Sequence, residues 1–158
     1  MSNLKLLFVT SGSNSCTEHL RTQNEIDFLI LDLSKDTVCN AEQLNEYILD
    51  FHPDLLIVYR CPHIISEKAF SAAQKGAYNI HPSLLPKYRG LNPWPAIFKS
   101  GETCNGVTVH RMTKVVDTGE IVYQQSYPIE QEDTIESARN KADIIAADLL
   151  ARLLNEFI

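Results

Sequence analysis

Several features of larger or more specialised proteins are missing from this sequence of 158 residues. No apolar run approaches the ~20 residues of a membrane-spanning helix, and the apolar run at the N-terminus is too short for a secretory signal. The four cysteines form no CxxC pair, and no Cys/His cluster has the spacing of a zinc site. These absences predict a cytoplasmic protein with reduced thiols, no membrane association and no metal.

Positive charge is also scarce, because 14 Lys and Arg stand against 20 Asp and Glu and the formal net charge is −6. Nucleic-acid binding needs a basic surface, so this balance argues against nucleic acid as a partner. With 44% hydrophobic and 22% charged residues, the composition is that of a globular protein and excludes a disordered or collagen-like chain. The length corresponds to one domain, residues 1–158.

Apolar runs alternate with amphipathic stretches along the first half of the chain. This alternation predicts an α/β fold with a single Rossmann-like open, mostly parallel sheet and helices on both faces. A capping-box pattern of Asp133 and Glu136 predicts the start of a long last helix. The predicted strands are residues 4–10, 27–33, 54–59, 77–80, 106–112 and 120–128, and the other predicted helices are residues 16–23, 37–51, 67–75 and a segment from Pro93 or Pro95 to Gly101.

The segment AYNIHPSLLPKYRG, residues 77–90, is the first candidate for chemistry. Asn79 and His81 are two residues apart at the end of a predicted strand, so their side chains share one face. Ligands bind at the carboxyl ends of parallel strands, and amide and imidazolium N–H groups are suitable donors to an oxyanion. The alternative is that both side chains cap loop carbonyl groups.

A second candidate is Asp117, in the segment VVDTGEI between two predicted strands. An Asp close to a Gly is most simply a turn residue. If the turn folds back over His81, however, the carboxylate would orient the imidazole and keep it protonated.

The ordered pattern N-x-H-P-S-L-L-P-x-Y-R-G, then G-x-T-x-H, then D-x-G resembles the folate-dependent formyltransferases. That family includes glycinamide ribonucleotide transformylases, methionyl-tRNA formyltransferases and amino-sugar N-formyltransferases. The similarity covers about residues 54–128, and it implies a catalytic trio of Asn79, His81 and Asp117. In the implied mechanism, Asn79 and a protonated His81 stabilise the oxyanion, and no metal takes part.

The resemblance also implies a formyl donor, 10-formyltetrahydrofolate, held by two loops. The segment Cys61-Pro62-His63 departs from the commoner family pattern. A turn of the SGSNS type could hold the phosphate of an acceptor or could be a plain turn, and Trp94 could line the acceptor cleft or pack in the core. The implied donor-binding residues are Tyr59, Arg60, Cys61, Pro62, His63, Ile64, Ile65, Val116 and Thr118, and the implied acceptor-binding residues are Ser11, Gly12, Ser13, Asn14, Arg89, Trp94 and His110.

The resemblance therefore implies transfer of a formyl group from 10-formyltetrahydrofolate to the amine of a small acceptor, with an amino sugar, nucleotide-linked or not, as first choice. The alternatives are a glycinamide ribonucleotide formyltransferase, a formyl-folate hydrolase and a non-catalytic folate-binding domain. About 78 residues precede Asn79, so the N-terminal half is expected to be shortened by one strand–helix unit. No segment is expected for an appended tRNA-binding domain, and a homodimer is left open.

Overall fold

A computed structural model describes residues 4–158 of the chain. Strands and helices alternate through most of the sequence, as predicted from the hydrophobic pattern. The elements are β1 (Lys5–Thr10), α1 (Ser15–Arg21), β2 (Asp27–Asp32), α2 (Ala41–Phe51), β3 (Leu55–Tyr59), α3 (Glu67–Phe70), β4 (Gly76–His81), α4 (Trp94–Lys99), β5 (Cys104–Arg111), β6 (Ile121–Pro128) and α5 (Ile135–Leu154).

The six strands form one sheet in the order β2-β1-β3-β4-β5-β6. The first four strands are parallel to one another, whereas β5 is antiparallel to both of its neighbours. The predicted α/β fold with a mostly parallel open sheet is thus confirmed. Because β5 runs backwards beside β4, residues near its end lie opposite the middle of β4 and not at the carboxyl edge.

Helices cover both faces of the sheet and bury two separate apolar clusters. The first cluster joins Leu6, Ile57 and Val109 to helices α1, α4 and α5. The second joins Leu7 and Val58 to helices α2 and α3. Alternate residues of β1 and β3 therefore face opposite clusters, as the two-residue period of a strand requires.

Three local predictions were wrong at element boundaries. The capping box of α5 is formed by Thr134 and Ser137, because Asp133 instead accepts hydrogen bonds from Ser137 and Lys141. Helix α3 ends at Phe70, one turn after it begins, since the chain then turns and the Lys75 amide donates to the Asp54 carbonyl at the start of β3. Helix α2 begins at Ala41 and not at residue 37, because Asn40 is its N-cap.

Strand β2 lies at the edge of the sheet, and Leu31 is the one buried residue among its six. None of the helices in residues 4–158 is long and apolar enough to cross a membrane.

Candidate active site

A cavity of about 430 Å³ lies beside the carboxyl ends of β1, β3 and β4. It extends from that edge over the sheet face that carries Asn79 and His81. Most of the site residues predicted from the sequence line it together. These are Ser11, Arg60, Cys61, Pro62, His63, Ile64, Ile65, Asn79, His81, Trp94, His110, Val116 and Asp117.

Asn79 and His81 lie on one face of β4, as their spacing predicted. His110 of β5 is directly opposite Asn79 in the antiparallel register, and its Nε2 lies 3.2 Å from Asn79 Nδ2. The other ring nitrogen of His110, Nδ1, lies 3.0 Å from the Arg111 carbonyl oxygen. His110 is only 2% exposed, so its buried ring is a fixed partner for the side-chain amide of Asn79.

The loop that follows β5 folds back over this face and brings Asp117 to the two histidines. Asp117 Oδ2 lies 3.5 Å from His81 Nδ1, and Oδ1 lies 3.3 Å from His110 Nε2 and 3.4 Å from Asn79 Nδ2. Asp117 is 7% exposed and has a φ of 58°, a left-handed conformation that is uncommon outside glycine. The turn therefore folds back over His81, which is the condition under which the Asp117 carboxylate could orient that imidazole.

Glycines fix this turn at two points. A Cβ atom on Gly119 would lie 1.8 Å from the Arg111 carbonyl oxygen, so the close return of the chain to β5 requires a residue without a side chain. Gly90, at a φ of 114°, donates its amide hydrogen to Asp117 Oδ2 at 2.8 Å. The Asp117 carboxylate is thus held by backbone from one loop and side chains from two strands.

His81 is 3% exposed, and each of its ring nitrogens lies near an oxygen atom of the protein. Its Nε2 donates to the Tyr88 carbonyl at 2.7 Å, which leaves Nδ1 facing Asp117. Burial lowers the pKa of His81 below its ordinary value of 6.5, and this effect outweighs the opposing contributions of Asp117 and Tyr88. The expectation that Asp117 keeps His81 protonated was therefore wrong, because desolvation outweighs the ion pair.

The pKa of Asp117 moves in the direction that keeps it charged. Burial acts to raise this pKa, but contacts with His110 and His81 and the amide of Gly90 leave it below its ordinary value. At neutral pH these two directions favour a charged Asp117 carboxylate beside an uncharged His81 imidazole.

The loop between β4 and α4 is pinned by side chains of β5 and β6. Thr108 donates to the Ser83 carbonyl at 2.7 Å, and Asn105 donates to the Pro82 carbonyl at 3.1 Å. Gln124 donates to the Leu85 carbonyl at 3.0 Å. These bonds fix the path of the chain that presents the Tyr88 carbonyl to His81.

The two ends of the cavity differ in character. Cys61, Ile65 and Met112 line one end and pack with the apolar cluster under α2 and α3. Trp94 and Arg139 line the other end, where α4 and α5 pack on the opposite face of the sheet. One end is therefore apolar and the other is aromatic and cationic.

Two residues expected to bind the donor do not line the cavity. Tyr59 is buried in the core, and its hydroxyl donates to Asp143 of α5. Thr118 points into its own turn, where its hydroxyl donates to the Val115 carbonyl at 2.8 Å. Both residues shape elements that line the cavity without facing it.

The turn after β1 differs from the phosphate-binding turn considered above. Gly12 donates its amide to the Asp32 carboxylate at 2.8 Å. The Asn14 amide donates to Thr17, and the Asn14 side chain accepts from the amides of Cys16 and Thr17 as the N-cap of α1. Only Ser11 of this turn lines the cavity, and Gly12, Ser13 and Asn14 do not.

Arg89 is exposed and does not line the cavity, although the next residue, Gly90, does. Trp94 both packs in the core, at 5% exposure, and lines the cavity. Met112 and Arg139 also line the cavity and were not predicted as site residues. Arg139 follows the buried Ala138 on α5, and nothing in the local sequence pattern marks this arginine as part of a site.

No group of three or more His, Cys, Asp or Glu side chains in residues 4–158 could hold a metal ion. All four cysteines lie in this part of the chain and are unpaired.

Known proteins resemble this chain in sequence and in fold. The sequence profile described as formyl transferase matches residues 4–154. The chain is 33% identical over 117 residues to a methionyl-tRNA formyltransferase from Thermotoga maritima, covering 74% of this chain and 37% of that protein. It is 41% identical over 96 residues to the bifunctional polymyxin resistance protein ArnA of Wigglesworthia glossinidia brevipalpis, covering 61% of this chain and 15% of that protein.

Among solved structures, a phosphoribosylglycinamide formyltransferase from Bacillus halodurans superimposes with a TM-score of 0.72 at 20% identity, covering 92% of this chain and 90% of the other. This similarity supports the fold. The chain spans well under half the length of the curated relatives it matches.

Proposed function

The chain belongs to the formyl transferase family, and we propose that it transfers a formyl group from 10-formyltetrahydrofolate to the amine of a small acceptor. One observation carries the proposal, namely that Asn79, His81 and Asp117 meet at one cavity although 38 residues separate the first from the last. A merely structural turn at Asp117 would not need two buried imidazoles as partners.

The residues of the apolar end suit the flat ring system of a folate. Ile64, Ile65, Met112 and Val116 supply apolar surface there, and the backbone from Arg60 to Ile65 lies along the same wall. Sites for small molecules combine such apolar walls with a few polar groups. When bound, the folate would supply the formyl carbon that the amine attacks.

We assign Asn79 as the hydrogen-bond donor to the formyl oxygen, on which negative charge develops during attack. Its amide nitrogen is held on the cavity face by contacts of 3.2 Å with His110 and 3.4 Å with Asp117, and one of its two N–H groups would exchange the longer contact for the formyl oxygen. Such preorganised donors are worth about 100- to 1,000-fold in rate.

We assign His81 as the proton acceptor. Because Nε2–H donates to the Tyr88 carbonyl and the pKa of His81 is lowered, Nδ1 is unprotonated and can take a proton from an amine that approaches it beside Asp117, which then stabilises the imidazolium across 3.5 Å. The amine nitrogen forms a bond to the formyl carbon, the bond from that carbon to the folate nitrogen breaks, and the proton passes through His81 to the departing nitrogen. This role replaces that of a permanently charged oxyanion donor.

For the acceptor, an amino sugar, free or nucleotide-linked, is the first choice. The size of the cavity and the net charge of −6 support a small molecule over a tRNA. Glycinamide ribonucleotide is less favoured, since the Gly12 amide that could bind its phosphate already donates to Asp32. A cytoplasmic location remains part of the proposal.

The experiment is incubation of the purified chain with 10-formyltetrahydrofolate and a panel of amines, with products identified by mass spectrometry. The panel contains amino sugars, their nucleotide-linked forms, glycinamide ribonucleotide and aminoacylated initiator tRNA. We expect an N-formyl product on a small amine. Formate release alone would indicate a hydrolase, and product on tRNA alone would overturn the choice of acceptor.

A further inference from the structure

Two arginines, Arg60 and Arg139, line the cavity, and the catalytic trio does not use either. Arg60 follows β3 with a φ of 58°, and its guanidinium lies 3.6 Å from the Asp143 carboxylate of α5. That distance is longer than a direct charge-assisted hydrogen bond of about 2.8 Å, and Asp143 also accepts from the Tyr59 hydroxyl. The side chain of Arg60 is 26% exposed, so its N–H groups are accessible from the cavity.

Arg139 lies one helical turn before Asp143 on α5, so its side chain is on the same helix face as the carboxylate that pairs with Arg60. Its guanidinium lies over the ring of Trp94 at 5.7 Å from the centroid. Within residues 4–158, no carboxylate lies within 4 Å of this guanidinium. A buried indole therefore positions a cation that has no ionic partner.

The surroundings show why these cations are unusual. The chain carries a net charge of −6, yet Arg60, Arg139 and Lys114 all line this cavity and Asp117 is the acidic residue that lines it. The turn after β1, the other place at this edge where an anion could bind backbone amides, already donates the Gly12 amide to Asp32. An anionic ligand at this edge would therefore find its donors on the arginines.

We propose that Arg60 and Arg139 bind an anionic group, a phosphate or carboxylate, of the amine acceptor, an inference that rests on the proposed formyl transfer. Guanidinium groups bind such anions through paired N–H donors, and both are held in place before the ligand arrives. A phosphorylated or nucleotide-linked amino sugar has this chemistry. Trp94 then positions Arg139, because the guanidinium already covers its ring.

The first test measures binding of inorganic pyrophosphate by calorimetry at low ionic strength. We expect Arg139→Gln to weaken binding about 10- to 100-fold, the effect of one lost charge-assisted contact. Arg152→Gln is the matched control, since Arg152 is on the same helix and lies over Tyr123 at 4.5 Å, away from the cavity. Equal binding by wild type and Arg139→Gln, or no binding by wild type, would overturn the proposal.

Arg60 is tested by a conservative substitution, because removal of its positive charge would leave the buried Asp143 carboxylate without a cation. Arg60→Lys keeps the charge but loses the paired donors, and we expect weaker pyrophosphate binding with an unchanged melting temperature. Unchanged binding in this well-folded variant would remove Arg60 from the site.

Carboxylates of the folate tail are a second source of anions, and kinetics separate the two. With Arg139→Gln we expect a raised KM for glucosamine 6-phosphate and little change for glucosamine. If instead the variant weakens only a formyl-folate analogue that carries a glutamate tail, and not the analogue without it, the site belongs to the donor and the proposal is wrong. If wild type formylates no amine, the proposed function fails, while pyrophosphate binding still decides on the anion site.

Discussion

Two turns at this sheet have similar chemistry and different consequences. In one, Asp32 at the end of β2 accepts the Gly12 amide at 2.8 Å; in the other, Asp117 accepts the Gly90 amide at 2.8 Å. The pKa of each carboxyl lies below its ordinary value, although partial burial acts to raise it, because hydrogen bonds stabilise the charged form. Only Asp117 also faces two imidazoles and lines the cavity. A carboxylate that accepts a glycine amide therefore stabilises a turn in both places. Whether it also belongs to a site depends on the other side chains around it.

The largest expected difference between the turns is in catalysis. Asp117→Asn should lower turnover about 100-fold or more, because the imidazolium formed at His81 loses its anionic partner and general-base catalysis typically contributes about 10²- to 10⁴-fold. Asp32→Asn should keep near-normal turnover, since an amide oxygen can still accept from Gly12. Steady-state rates with matched thermal melts measure both. Equal losses in two folded variants would contradict the distinction.

The glycines beside the two carboxylates sharpen the comparison. In Gly119→Ala the new Cβ would lie 1.8 Å from the Arg111 carbonyl, so the Asp117 turn must move, and we expect a loss of about 1–3 kcal/mol in unfolding free energy together with a large loss of activity.

Gly12→Ala is the control, because its Cβ would meet no atom within 4 Å, although its φ is +82°. Left-handed strain should lower the unfolding free energy by about 1–2 kcal/mol, with activity retained. Chemical denaturation and rate measurements on both variants test this, and full activity in Gly119→Ala would count against the account of the turn.

The pH dependence of stability gives a smaller effect with a defined sign. Because the pKa of His81 is lowered on folding, the unfolded chain binds a proton more readily, and stability should fall as the pH drops below about 6.5. The lowered pKa values of Asp32 and Asp117 add a further loss at more acidic pH, as these groups are protonated.

Thermal melts between about pH 7.5 and 5 measure this slope. His81→Asn should flatten the part of the slope just below pH 6.5. A slope that His81→Asn leaves unchanged would assign it to other groups.

The smallest effect is expected at the turn after β1. Ser13 is exposed and does not line the cavity, so Ser13→Ala should leave the KM of every acceptor unchanged. A raised KM confined to glycinamide ribonucleotide would restore this turn as a phosphate site and that compound as the acceptor.

The fold and the catalytic trio were predicted from different features of the sequence. Continuous apolar runs predicted the positions of the parallel strands, because a strand that is buried on both faces is apolar at nearly every residue. The two-residue spacing placed Asn79 and His81 on one face. The predicted end of α3 and the predicted cap of α5 were wrong because other hydrogen bonds compete. The Lys75 amide donates to the Asp54 carbonyl, and Asp133 accepts from Ser137 and Lys141.

Other parts of the site depend on contacts that no local pattern encodes. The antiparallel register puts His110 opposite Asn79, and the spacing of the motif does not contain that pairing. The carboxylate that engages the turn after β1, Asp32, is 20 residues from Gly12. The direction of the His81 pKa depends on burial to 3% exposure, which the sequence does not reveal.

In the proposed mechanism an uncharged His81 accepts a proton from the amine, and Asp117 stabilises the imidazolium that forms. This mechanism is tested most directly by the pH profile of kcat/KM for wild type and Asp117→Asn. The account predicts that wild-type activity falls as the pH drops through the lowered pKa of His81, below about 6.5, and that the variant is slower with this acid limb moved to still lower pH, because removing the negative charge lowers the pKa further. Activity that rises on acidification, or an acid limb that stays in place in the variant, would contradict it.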